Sequence, residues 1–246
     1  MVRRVKVRPE KLLICAVVAM SIALPSFAET RPPLAPAIAA SPALKALRRS
    51  MLDGNDIGMT NLRRLADAGD GLAAFNFAKA LEENGGKWQD LIHYYSLALY
   101  QGRDFVARRV INQVKLHGTE MDTLGDRRRQ SVEDALLAAS RRGNRDAALA
   151  LSDFYAGGVP FGLEEVKAAK LLEPYAREGD GKAALKIALL WIGSDPTKPN
   201  DLAAAREMLE LAAASGDIGT RSTAENLLAT LPTEIAAEET LAGETE

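Results

Sequence analysis

The chain has 246 residues, with 31 Lys and Arg against 33 Asp and Glu, only two His, and a formal charge of −2 at neutral pH. Apolar residues make up 47% of it but aromatic ones only 5%, a balance rich in Ala and Leu that favours closely packed helices over a β-sandwich. No basic stretch is interleaved with aromatics, which excludes the usual nucleic-acid binders.

The first predicted element is a leader. Arg3, Arg4, Lys6, Arg8 and Lys11 precede an apolar run from Leu12 to Leu24, and Pro25, Ser26 and Ala28 then set up a small-residue cleavage site. This pattern predicts a secretory signal peptide over residues 1–28, cut after Ala28, and a mature protein in a Gram-negative periplasm. The apolar run is short beside the roughly 20 residues needed to span a bilayer. Membrane contact is therefore expected only through the leader before its removal, with an uncleaved anchor as the alternative. The Arg3-Arg4 pair lacks the close apolar residues of a twin-arginine signal. Cys15 follows the bulky Ile14, where a lipid-anchored cysteine would follow a small residue.

Cleavage leaves no cysteine, hence no disulfide, thiolate nucleophile or cysteine-ligated metal. The leader takes five basic residues and one acid with it. That leaves 26 basic against 32 acidic residues, a net charge near −6.

Residues 29–41 hold Pro32, Pro33 and Pro36 among alanines, which reads as an extended tether. Residues 42–231 read as a helical repeat domain. Residues 232–246 open with Pro232 and carry Glu234, Glu238, Glu239, Glu244 and Glu246 with no basic residue, which predicts an acidic disordered tail, a solvated segment before a binding one. Within the repeat domain, Ser41-Pro42 is an N-cap with proline at the first helical position. Leu44, Leu47, Met51 and Leu52 follow at helical spacing up to Gly54. A second run, Leu62, Leu65 and Ala66, leads to Ala68-Gly69.

From there the pattern cycles. Gly69, Gly102, Gly143, Gly179 and Gly216 each close a predicted helix, at spacings of 33, 41, 36 and 37 residues. A period in this range marks stacked two-helix units. Other positions keep register with these glycines. Five residues after Gly69, Gly143 and Gly179 come Ala74, Ala148 and Ala184. Eight after come Phe77, Leu151 and Ile187, then Ala78, Ser152 and Ala188, and twelve after come Leu81, Tyr155 and Trp191. Counting backwards, Tyr95, Leu136, Leu172 and Leu209 lie seven before a glycine, and Ala98, Ala139, Tyr175 and Ala212 lie four before. Such spacing predicts one apolar stripe per helix, with a small-residue seam that lets its partner approach closely. Asp70, Asn144, Asp180 and Asp217 are placed to cap the helices that follow.

These residues resemble Sel1-like repeats, relatives of the tetratricopeptide repeat. Lys167-Ala168, Leu171, Tyr175-Ala176 and Gly179 follow the order of that family's second helix, as do Ala204-Ala205, Met208, Ala212-Ala213 and Gly216. Ala147, Leu151, Ser152, Tyr155, Gly158 and Val159 follow the order of its first. The resemblance spans about residues 62–230, is good over 143–216, fair over 69–102 and poor over 103–142, where Gly118 and Gly125 interrupt a stretched unit. The family's favoured second-helix tryptophan is replaced by Tyr94, Leu171 and Met208. The resemblance implies an all-α fold, an α-α superhelical solenoid of Sel1-like, TPR-like helix pairs, that serves as a scaffold for other proteins.

No catalytic, cofactor or metal site is predicted. His93 and His117 fall in different units, and no H-E-x-x-H spacing exists. No G-x-S-x-G occurs, and the glycine-rich Gly157–Gly162 lacks the lysine and hydroxyl of a phosphate loop and reads as an inter-helix turn. Glu164-Glu165 opens a helix, where acids complement its dipole. A glycosidase pair stays open, because its carboxylates need only meet in space.

The function expected is therefore non-enzymatic: an adaptor or scaffold binding another protein of the cell envelope, in a signalling or assembly complex. A cell-wall or polysaccharide-binding protein, or a glycan-acting enzyme with a carboxylate cleft, is the alternative. First helices are expected to line the concave face. Tyr155 and Trp191 occupy repeated positions and read as core. Phe154 and Phe161 fall outside the stripe and are candidates for an exposed partner-binding patch, with Tyr94 and Tyr100 beside the register residue Tyr95. Arg127, Arg128 and Arg129, with Arg141, Arg142 and Arg145 downstream, form the densest positive cluster, read either as a solvated helix face or as a site for an acidic partner.

Overall fold

A computed structural model describes residues 35–194 and 199–231. The expected signal peptide, the first part of the tether and the acidic tail lie outside these described residues. Within them the chain forms twelve α-helices, two 3-10 segments and no strand.

Several helices begin where the sequence offers a side-chain cap. Helix α1 (Pro36–Ala40) is a single turn, followed by α2 (Pro42–Leu52), whose first free N–H groups are met by Ser41 Oγ accepting from the Leu44 N–H. Part of the segment expected to be an extended tether is thus folded: Ile38 of α1 is fully buried, and the Ala35 methyl lies close to Gly69. A proline at the first helical position and an isoleucine able to reach the core account for the difference.

Next come α3 (Gly58–Asp67), α4 (Gly71–Glu83) and α5 (Trp88–Tyr100). Helices α6 (Ala107–His117) and α7 (Asp126–Arg141) occupy the stretch where the repeat was least legible. Its extra length resides in two 3-10 segments, Asp104–Val106 before α6 and Gly118–Leu124 after it, so a helix pair survives there. Helices α8 (Arg145–Gly157), α9 (Glu165–Arg177), α10 (Gly181–Ser194), α11 (Pro199–Ala213) and α12 (Ile218–Thr230) complete the array. Residues 158–164 connect α8 to α9, as expected for the glycine-rich turn, with a cis Val159–Pro160 bond.

The glycine register is realised as a recurrent junction. At Gly69, Gly102, Gly143 and Gly179 the backbone is left-handed, with φ between 82° and 96°. Each closes its helix in the same way, the following N–H donating five residues back: Asp70 to Leu65, Arg103 to Ala98, Asn144 to Ala139, Asp180 to Tyr175. Three of the residues after these glycines then start the next helix. Asp70 accepts from the N–H groups of Leu72 and Ala73, Asn144 from Ala147, and Asp180 from Lys182 and Ala183. Gly216 departs from the series: it is absent from the left-handed region, and α11 ends at Ala213 before reaching it. Asp217 still caps α12 by accepting from the Thr220 N–H.

Packing follows the register. Tyr95, Leu136, Leu172 and Leu209 are all fully buried, as are Ala74, Ala148 and Ala184 and the seam residues Ala78, Ser152 and Ala188. Sequence neighbours α3 to α5 and α7 to α12 each pack on the next helix. The second helices α5 and α7, and α9 and α11, also touch, as do the first helices α6 and α8, and α10 and α12. Arginines tie successive units together. Arg48 reaches the cap Asp70 at 2.5 Å, Arg145 pairs with the cap Asp180, and Arg142 donates both to Asp104 and to the terminal carbonyl of Leu99 on α5.

Gly143→Ala is expected to destabilise the fold by about 1–2 kcal/mol, since its only penalty is the left-handed backbone and a Cβ there meets nothing. Gly216→Ala, also in open space, is expected to stay within about 0.5 kcal/mol. Urea unfolding of the two variants separates them, and equal effects would contradict the junction described.

Candidate functional site

The register determines which side chains remain to line a surface. Between α7 and α9 lies an open groove of about 820 Å³. Its walls carry Glu133, Leu137 and Arg141 from α7 and Lys170, Leu171 and Tyr175 from α9, while Tyr155 of the first helix α8 contributes to its lining. A second groove of about 230 Å³ repeats this plan one unit on. It lies between α9 and α11, with Trp191 of α10 in the position equivalent to Tyr155. A third, of about 180 Å³, lies between α5 and α7 and shares Asp134 with the first. Consecutive second helices therefore frame these openings, whereas the sequence had pointed to first helices as the lining.

In the α7–α9 groove the Tyr155 hydroxyl donates to Glu133 at 2.5 Å, and Lys167, paired with Glu164 at 2.9 Å, lies 5.6 Å from the Tyr155 ring centre. Burial first and the Glu133 carboxylate second push the Tyr155 phenol above its ordinary range. Tyr175 is raised too, by burial and then by Glu178. The acids Glu133, Asp134 and Glu178 stand among Arg141, Lys167 and Lys170, so the lining is mixed in charge and partly apolar. Such a surface can hold a peptide or another extended polar ligand.

The predicted partner-binding residues divide sharply. Phe154 is buried at 8% exposure, and Phe161 packs half-buried against it with ring centres 5.9 Å apart. They form an internal aromatic contact where an exposed patch was expected, because the connection after α8 folds Phe161 back over the end of its own helix. Tyr94 is likewise buried, edge-on to Phe77 at 4.6 Å, with its hydroxyl donating to Asp67 at 3.0 Å. Tyr100 is exposed and, with Arg128, lines the α5–α7 pocket. Arg129 pairs with Asp122 and Asp126, so its charge is used within the fold, while Arg127 is exposed outside the grooves.

Of the positions read as core, Tyr155 is buried and Trp191 is half-buried at the rim of its groove. His117 stacks on Trp88 with ring centres 4.4 Å apart. Among the described residues no group of three or more His, Cys, Asp or Glu side chains is placed to hold a metal, and no helix is long and apolar enough to cross a membrane.

Sequence reasoning missed Glu133, Lys170, Leu171 and Tyr175 as a surface. One signal was available: Tyr175 breaks a register position that is alanine in the other three units. A scan against protein-family models and a search of curated proteins gave no match for this chain.

Tyr95, whose hydroxyl donates to Glu82 at 2.7 Å, is pushed up to about 12, chiefly by burial and then by Glu82. For tyrosines raised in the fold, stability is full below the unfolded value near 10 and is lost as pH rises through the folded value. An absorbance titration at 295 nm should show a late phase. Tyr155→Phe and Tyr95→Phe are each expected to remove part of it, and a profile unchanged by both would contradict these environments.

Proposed function

We propose that this chain is an exported helical-repeat adaptor, a Sel1-like or tetratricopeptide-like solenoid, that binds another protein of the cell envelope in the α7–α9 groove. The observation that carries this reading is a repeated plan: three openings lie between consecutive second helices, and in two of them one aromatic residue of the intervening first helix lines the groove. A lining repeated with the unit suits an extended segment of partner chain, read by successive units. The leader and the acidic mature composition support a periplasmic setting.

Hot-spot energy in such an interface belongs to aromatic and cationic side chains in partly desolvated pockets, which in this groove means Tyr175, Lys170 and Arg141. Lys170 and Arg141 are exposed and make no ion pair among the described residues, so reversing their charge removes recognition without removing core.

The test is photocrosslinking in intact cells from a probe placed at Tyr175. One envelope protein is expected to be recovered reproducibly and to disappear in the Lys170→Glu, Arg141→Glu double variant, whose urea midpoint stays that of the parent. Recovery of glycan fragments, or of the same protein at equal yield from the double variant, would reject this reading and favour the cell-wall alternative. Small-angle scattering tests the solenoid itself: an extended distance distribution is expected, and a compact bell-shaped one rejects it.

A further inference from the structure

The pocket between α5 and α7 differs in chemistry from the larger groove. His93, Ser96, Leu97 and Tyr100 reach it from α5, and Arg128, Ser131, Val132 and Asp134 from α7. Three of its polar groups have unused donors. Among the described residues Arg128 makes no hydrogen bond or ion pair, although its neighbour Arg129 makes two ion pairs. The Ser96 hydroxyl is buried, at 2% exposure, with no hydrogen-bond partner, a condition that costs free energy unless a ligand or water meets it. His93 is half-buried and makes ring contact with Tyr94 but no hydrogen bond. Ser131, in contrast, already donates to the Arg127 carbonyl at 2.9 Å.

We propose that this pocket binds a carboxylate group, with the Arg128 guanidinium and the Ser96 and His93 donors on the anion and Leu97, Val132 and the Tyr100 ring against its apolar substituent.

The donor set favours this ligand over a phosphate. A guanidinium presents two parallel N–H groups that match a planar carboxylate. Only one full positive charge is present while His93 is neutral, and Asp134 stands on the lining, so a dianion is opposed. Burial, and then the Arg128 charge, hold His93 below its ordinary value, against the opposite pull of Asp67 on α3 and Asp90 on its own helix. A bound anion reverses the Arg128 contribution and raises His93, so by linkage affinity grows as pH falls through the His93 titration. The pocket shares only Asp134 with the α7–α9 groove, and the assignment stands whether or not that groove holds a protein.

The two histidines make the test direct, because His117 is stacked on Trp88 away from the pocket and serves as an internal reference. The full chain with labelled histidine is titrated by NMR with N-acetyl-leucine and, separately, with N-acetyl-leucinamide. The acid is expected to shift the His93 resonances, raise its titration midpoint and leave His117 in place, while the amide does neither. Arg128→Gln is expected to weaken the acid by about tenfold or more, the worth of one charged hydrogen-bonded contact, and Arg127→Gln to leave it unchanged. Equal binding of acid and amide, an unaltered affinity in Arg128→Gln, or a response at His117 without one at His93 overturns the proposal. A hexapeptide with a free carboxyl-terminal leucine distinguishes the sources. Tighter binding than N-acetyl-leucine identifies the end of a polypeptide, and equal binding identifies a free small carboxylate.

Discussion

The architecture depends on one backbone event repeated at Gly69, Gly102, Gly143 and Gly179: a left-handed residue that ends a helix and lets the chain turn into the next. An L-residue with a Cβ pays about 1–2 kcal/mol for that conformation, and glycine avoids it. Because the next residue is Asp or Asn at three of the four junctions, one two-residue unit both closes a helix and caps its successor. Everything between junctions is thereby held in register, so the same stripe positions are buried unit after unit.

Charge then joins the units. Asp70 and Asp180 each receive an arginine from an earlier element while still accepting from backbone N–H groups. At Gly102, where no side chain caps the following segment, Arg142 instead reaches back across 38 residues to Asp104 and to the carboxyl end of α5. These pairs are partly exposed and contribute modestly to stability, but they fix how neighbouring units meet. They also explain why the arginine-rich stretch is less of a docking surface than its composition suggests: Arg129, Arg142 and Arg145 are used internally.

The binding surfaces arise from what the register leaves over. Openings lie between adjacent second helices, and two of them are lined in part by the residue twelve positions after a junction glycine. Where that residue is Tyr155 or Trp191, an aromatic lies at the groove. Mixed charge above it leaves a surface suited to polar segments, and the smaller pocket beside Tyr100 adds a concentrated cationic point at Arg128.

The helical class, four of the five glycine junctions and the buried stripe were legible in the sequence alone, because each rests on local rules: glycine for a left-handed residue, Asp or Asn for a cap, apolar spacing for one helix face. The sequence also placed Tyr155 in the interior from its repeated position alone. It did not determine which residues outside the stripe reach solvent. Phe154 and Phe161 lie off the repeated pattern, yet the connection after α8 folds one ring onto the other, which buries Phe154 and half-buries Phe161. Gly216 matched the spacing, but α11 ends three residues before it, so no left-handed turn is required there. The meeting of His93, Ser96 and Arg128 was beyond sequence reasoning for the same reason. Those residues lie on α5 and α7, and only the packing of one second helix on the next brings them to a single pocket.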